Sequence, residues 1–114
     1  VKKVKGNTLC VIQKKTSTTN IIGEPVDTWT DFVSVSGVLG LQSGDSKYTN
    51  YNAKIEESTH VFVCDYNQAV YGLADQDVRC TIKGKMYDIL LIDNPDELDE
   101  HLEIYLRFVG GQNG

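Results

Sequence analysis

The sequence has one tryptophan, one methionine and two prolines among 114 residues, and only two histidines and three cysteines. Lys and Arg together number 11 against 16 Asp and Glu, a formal charge of −5. With an isoelectric point near 4.8, the chain lacks the basic surplus on which an autonomous DNA- or RNA-binding module depends. It stays free to lie beside DNA without gripping it. No apolar run approaches the roughly 18 residues of a membrane helix, so no membrane contact is expected. Cys10, Cys64 and Cys80 are odd in number, far apart and without a Cys-x-x-Cys pair. That pattern speaks against a disulfide framework or a zinc site and for buried, reduced thiols on strands, made in a reducing, intracellular place. The opening VKKVKGNTLCVIQKK sets charges on both sides of a short apolar stretch without a small-residue cleavage site, unlike a secretory signal.

Residues for chemistry are equally sparse. His60 and His101 fall on separate strand candidates, so a Ser/His/Asp arrangement would need coincidental geometry; His60, at a strand start, is expected to pack or hydrogen-bond there. GLQSGDSK lacks the Gly-Lys-Ser/Thr ending of a phosphate loop, and no helical pattern follows it. The run DNPDELDE gathers Asp93, Asp96, Glu97, Asp99 and Glu100, but it has no central Gly, and Pro95 interrupts the alternate spacing of a calcium loop. It reads as a hydrated hairpin loop whose turn is set by Asn94 and Pro95, with adventitious cation binding or an acidic patch facing a basic partner as alternatives. No catalytic residue, cofactor or metal is expected.

What the sequence does have is period two. In HLEIYLRFV, Leu102, Ile104, Leu106 and Phe108 alternate with His101, Glu103, Tyr105 and Arg107, the pattern of a strand with one buried face. VRCTIKG repeats it, with Val78, Cys80 and Ile82 inward, and meets MYDILLID across Gly84 and Lys85 in a tight hairpin. MYDILLID is apolar on both faces and reads as a central strand. THVFVCDY, TLCVIQKK and a long, bent WTDFVSVSGVLGLQ, with Gly37 and Gly40 as bend or bulge points, bring the tally to about six strands. The fold class is therefore all-β: a small antiparallel barrel or sandwich with one long loop, in which a short helix is the weakest element. Residues 1–109 form a single β domain, and 110–114, ending GGQNG, a flexible tail.

Two connections stand out. TSTTNIIGEPVD is polar except for Ile21, Ile22 and Val26 and reads as a flexible hairpin tip. The segment Ser43–Ser58 is too long for an ordinary connection in so small a domain, and such loops are usually functional or disordered. Its composition suits contacts, so Ser43, Asp45, Lys47, Tyr48, Tyr51 and Lys54 are candidate interface or channel residues. Trp29, the lone tryptophan, is a candidate for either core or interface.

In this order the pieces resemble the phage head–tail joining proteins, the head-closure or head–tail adaptor proteins of long-tailed phages. VIQKK is followed by a polar tip with Gly23. EPVDTWTDFVSVSGVL is similar to that family's Val-x-Thr-Trp-x-Asp signature, and STHVFVCDY to its Thr-His strand start. IKGKMYDILLIDNPDELDEHLEIYLRFV is similar to its Gly-x-x-Tyr-x-Ile hairpin, Asn-Pro-Asp turn and last strand. The resemblance covers about Val11 to Val109. It departs at Cys64, Asp65 and Tyr66, where the family usually has Arg and Tyr, and over Asn67–Asp77. It implies a non-enzymatic connector of a phage or prophage virion, made in the bacterial cytoplasm. Such proteins assemble as a ring below the portal or adaptor protein, extend the DNA channel without specific DNA binding, and dock the tail through its tail-completion protein. A tail-completion or terminator protein of related fold is the alternative. A third reading, an OB-like nucleic-acid module, would rest on Lys2, Lys3, Lys5, Lys14 and Lys15, which lack interleaved aromatics.

Overall fold

The computed structural model describes residues 6–41 and 58–111. Six strands pair in the order β1-β2-β3-β6-β5-β4 and close into a barrel. They are β1 (Thr8–Thr19), β2 (Pro25–Leu41), β3 (His60–Asp65), β4 (Val78–Ile82), β5 (Lys85–Asp93) and β6 (His101–Gly111). Every pairing is antiparallel, and β1 against β4 closes the ring of strands. The all-β expectation holds, with the barrel realised and not the sandwich. A four-residue helix, α1 (Gln68–Tyr71), and a 3-10 turn at Pro95–Glu97 complete the elements.

Period two becomes burial. Cys10 and Ile12 from β1, Phe62 and Cys64 from β3, Cys80 and Ile82 from β4, and Leu102, Ile104 and Leu106 from β6 fill the interior almost without exposure. Phe108, expected inward, is 43% exposed; it lies beyond Leu106, the last β6 residue paired with β3, with the edge of Tyr87 at 5.6 Å. The thiols are free and buried. Contact with Cys80 and then burial push the Cys10 thiol above its usual range, and burial pushes Cys64 up to about 12.

Several local expectations shift. The hairpin between β4 and β5 turns on Lys83 and Gly84, one residue earlier than the spacing indicates, with both at positive φ (53° and 77°). That is the type I′ geometry whose twist suits a two-residue hairpin. β5 pairs with β4 on one side and β6 on the other, as a central strand does, although Ile89–Asp93 pair with β6 alone among the described residues. Its two-sided apolarity reflects a bulge, since Ile89 faces Leu106 and Leu91 faces Tyr105, leaving Leu90 extra. The bulge flips the alternation, so Tyr87 and Ile89 before it and Ile92 after it face one interior. In β2 the bulge falls at Phe32, between the partners of Ile12 and Gln13, and not at Gly37 or Gly40. Gly37 is instead the hand-over point, pairing with Thr8 on one side and Cys64 on the other.

The departure at Asn67–Asp77 is where α1 sits. The Asn67 side chain accepts from the backbone N–H of Ala69 (2.9 Å) and Val70 (3.2 Å), capping the helix start. Val70 and the following Leu73 are buried in the core. The helix thus stoppers one end of the barrel. β6 remains paired as far as Gly111, against Lys85; residues 112–114 lie outside the described residues.

Candidate interaction surface

The register gives the barrel two unlike ends. At one end lie Thr8, the end of β2 at Leu41, the start of β3 at His60, the Lys83–Gly84 turn and the end of β6. Both flanks of the 42–57 connection leave from there. At the other end lie α1, the acidic turn and a hairpin arm.

The arm is the main departure from expectation. β1 pairs with β4 only through Lys14, yet β1 and β2 stay paired out to Thr19 and Pro25. Lys15–Thr19 therefore run about 17 Å past the last rung of the barrel, in a molecule measuring 51 × 28 × 27 Å. The turn is closed by hydrogen bonds centred on Asn20. The Asn20 side-chain oxygen accepts from the N–H of Ile22 (3.1 Å) and Glu24 (2.9 Å), Gly23 N–H donates to the Asn20 carbonyl (3.0 Å), and Gly23 takes φ 86°. An Asx-anchored turn of this kind presents its middle residues outward. Ile21 is fully exposed and Ile22 76% exposed. Below the tip, Ser17 donates to Asp27 (2.7 Å) and Lys15 lies 3.4 Å from it; the hydrogen bond first and the ammonium second hold the Asp27 carboxyl below its usual range.

Trp29 sits on the outer face of the arm's base. It is half-buried, lies outside the buried core cluster, and carries the Arg79 guanidinium 4.3 Å above its ring. Arg79 Nε donates to Gln13 Oε1 (2.7 Å), and Gln13 Nε2 donates to Asp31 Oδ1 (2.8 Å). A planar guanidinium both stacking and donating is held in one orientation. Trp29 thereby fixes the arm's base to β4.

Beside that base is a groove. β4 begins at Val78 and pairs with β5 only up to Asp88, so the rest of β5 has no ladder partner on that side among the described residues. The opening, about 460 Å³, has Leu73, Val78, Leu90 and Ile92 in its wall and Asp75 and Asp77 at its rim. It continues past Lys15, Trp29 and Arg107.

The acidic run forms a turn, as expected from Asn94 and Pro95, but Asn94 itself is buried. Its side chain donates to Asp99 Oδ1 (2.7 Å) and accepts from Asp99 N–H (3.1 Å). Tyr71 of α1 donates to Glu97 (3.3 Å), and burial with repulsion from Glu103 and Asp96 raises Asp93. His60 Nδ1 lies 2.9 Å from Thr59 Oγ1 and its ring meets Tyr87 edge-on at 5.1 Å, the packing role its position implies. His101 lies 3.1 Å from Glu103. No helix among the described residues is long and apolar enough to cross a membrane. Of the residues singled out in sequence, Ser43, Asp45, Lys47, Tyr48, Tyr51 and Lys54 lie outside the described residues, and only Trp29 can be placed. The arm and groove were missed, although one signal pointed to the tip: two adjacent isoleucines between Asn20 and Gly23 in an otherwise polar stretch.

Barrel, hairpin arm and flanking groove define a small all-β protein. Comparison with known families finds the phage head completion protein family, matching residues 1–107. The chain belongs to that family, whose role is structural: closing the phage head, as a virion component working with other head and tail proteins. Among solved structures, the solution structure of protein SF1141 from Shigella flexneri 2a is similar, with TM-score 0.66 and 20% identity over 93% of each chain; that likeness concerns the fold. No curated protein matches.

Proposed function

We propose that this protein is a non-enzymatic head-closure connector of a phage or prophage. It assembles as a ring beneath the portal or adaptor protein of the filled head, extends the DNA channel and presents the surface on which the tail, through its completion protein, docks. The observation that carries this reading is the family match over residues 1–107. The two unlike barrel ends suit a component with one neighbour above and another below. The charge of −5 suits a wall past which DNA slides, because a wall with few cations makes few of the phosphate contacts that hold DNA. The connection 42–57, with Tyr48 and Tyr51, and the outward Trp29 are further candidates for contact with ring neighbours or the channel.

Deletion of the gene tests the reading. Electron microscopy is expected to find heads that packaged DNA and then lost it, standing apart from normal tails. Joined, infectious particles from the deletion strain would overturn it.

A further inference from the structure

The opening run VKKVK carries Lys2, Lys3 and Lys5, three of the chain's 11 cations, and neither the barrel nor the connector role uses them. Gly6, the first of the described residues, shows where that run leaves the barrel. A Cβ at Gly6 would stand 2.2 Å from the Gly37 carbonyl oxygen and 2.8 Å from Cγ2 of Val38. Only a glycine lets the backbone pass so close. Val38 points outward, between Gly37, whose face meets the Phe62 ring, and Leu39, which packs on the core. Straight continuation of β1 would set Gly6 beside Leu39 in the plane of the sheet. Contact with the Val38 side chain instead turns the chain out over the barrel's outer face.

That face changes character along one rung. Val38 pairs with Val63, Val63 with Glu103 and Glu103 with Asp93, crossing β2, β3, β6 and β5. The adjoining rung carries Gly40, Val61, Tyr105 and Leu91. These positions face outward, because the residues alternating with them, Phe62, Cys64, Leu102, Ile104 and Ile92, fill the interior. Val38 is 44% exposed, and Val61, Val63, Tyr105 and Leu91 are half-buried. A contiguous outward apolar patch of this kind marks a contact site. Its far side is acidic. Glu103 lies 3.1 Å from His101 and accepts from the Tyr105 hydroxyl (3.0 Å), and it still repels Asp93 across the rung.

Length and order fit the run to the rung. Three inter-strand steps from Val38 to Asp93 span about 14 Å, and five extended residues about 17 Å. Counting back from Gly6, Val4 falls over Val63, and Lys3 and Lys2 fall at Glu103 and Asp93.

We propose that residues 1–5 cross this face as a strap, with Val4 on Val61 and Val63, and Lys2 and Lys3 at the Glu103–Asp93 pair. Seated there, the strap covers the outward apolar patch of β3. It also gives the lysine cluster its counter-ions within the chain, which withdraws those cations from phosphate binding.

Zero-length cross-linking with a carbodiimide, which joins an amine to a carboxylate only in direct contact, tests the seating. Equal amounts of unlabelled and 15N-labelled full chain are mixed at micromolar concentration, treated and mapped by mass spectrometry. The expected product joins Lys2 or Lys3 to Asp93 or Glu103 within one chain. Val4→Asp should lower its yield about tenfold through loss of one buried valine contact, while the far-UV circular dichroism of the barrel stays that of the parent. Absence of any link to Asp93 or Glu103 would overturn the strap, as would a yield indifferent to Val4→Asp. So would links from the same lysines to Glu24, Asp75 or Asp77 at comparable yield. Links between a light and a heavy chain in place of internal ones would also overturn it, by making the face an interface between copies.

Discussion

Phe62→Ala is expected to lower the unfolding free energy by about 3–5 kcal/mol, the range for removing a fully buried aromatic ring. Phe62 has no measurable exposure. It pairs with Leu39 on β2 and Ile104 on β6, so its ring lies where two seams of the barrel meet. A domain of this size has a total stability of only about 5–15 kcal/mol, and the variant should therefore sit near unfolding at room temperature. Urea titration followed by circular dichroism measures the effect as a lower midpoint at unchanged slope. Phe32→Ala serves as the contrast. Phe32 is the bulge residue of β2, 48% exposed with Lys14 over its ring at 4.7 Å, and its loss should cost about 1 kcal/mol or less. Equal losses at the two positions would contradict the interior assigned here.

Gly37→Ala carries the second large effect, from the opposite cause. A Cβ at Gly37 would stand 2.1 Å from the Val63 carbonyl oxygen and 3.0 Å from the Phe62 ring. The ring can give way; the carbonyl belongs to the β2–β3 ladder and cannot move without breaking rungs. Overpacking costs typically about 1–3 kcal/mol, and a clash against backbone belongs at the upper end. The melting temperature should fall on the order of 10 °C. Gly40→Ala, three residues along the same strand, meets nothing within 4 Å and should melt within a few degrees of the parent. A harmless Gly37→Ala would mean that β2 and β3 do not approach as closely as their pairing requires.

These two positions illustrate what was legible in the sequence and what was not. Alternation was enough for β6 and β4, because Leu102, Ile104 and Leu106, or Val78, Cys80 and Ile82, face one interior without interruption. Where a bulge intervenes, alternation misleads. Leu90 makes β5 look apolar on both faces, and the extra residue Phe32 left Gly37 to be taken for the bulge. The steric reason for Gly37 lies on β3, far away in sequence, so no local pattern could supply it. The arm was hidden for a related reason. Thr16, Ser17, Thr18 and Thr19 have no core to face, and polar residues that pair only with another polar strand read as loop. What orders the tip is the side chain of Asn20, acting over four residues. The acidic turn was legible through Asn94 and Pro95, but not the burial of Asn94, which depends on Asp99 folding back onto it. Of the candidate contact residues, Trp29 can be placed, half-buried outside the core cluster, and neither alternative for it included a cation stacked on its ring.

The proposed head-closure role requires that this chain act on the head before the tail arrives. The most direct measurement is in vitro completion. DNA-filled heads from the deletion strain are incubated with the purified protein, recovered by sedimentation, tested for nuclease-resistant DNA, and only then mixed with purified tails. The account predicts that the protein sediments with the heads, that their DNA becomes protected, and that tails join only the heads so treated. Protein that binds free tails and ignores heads, or heads that keep their DNA and accept tails without it, would contradict the account.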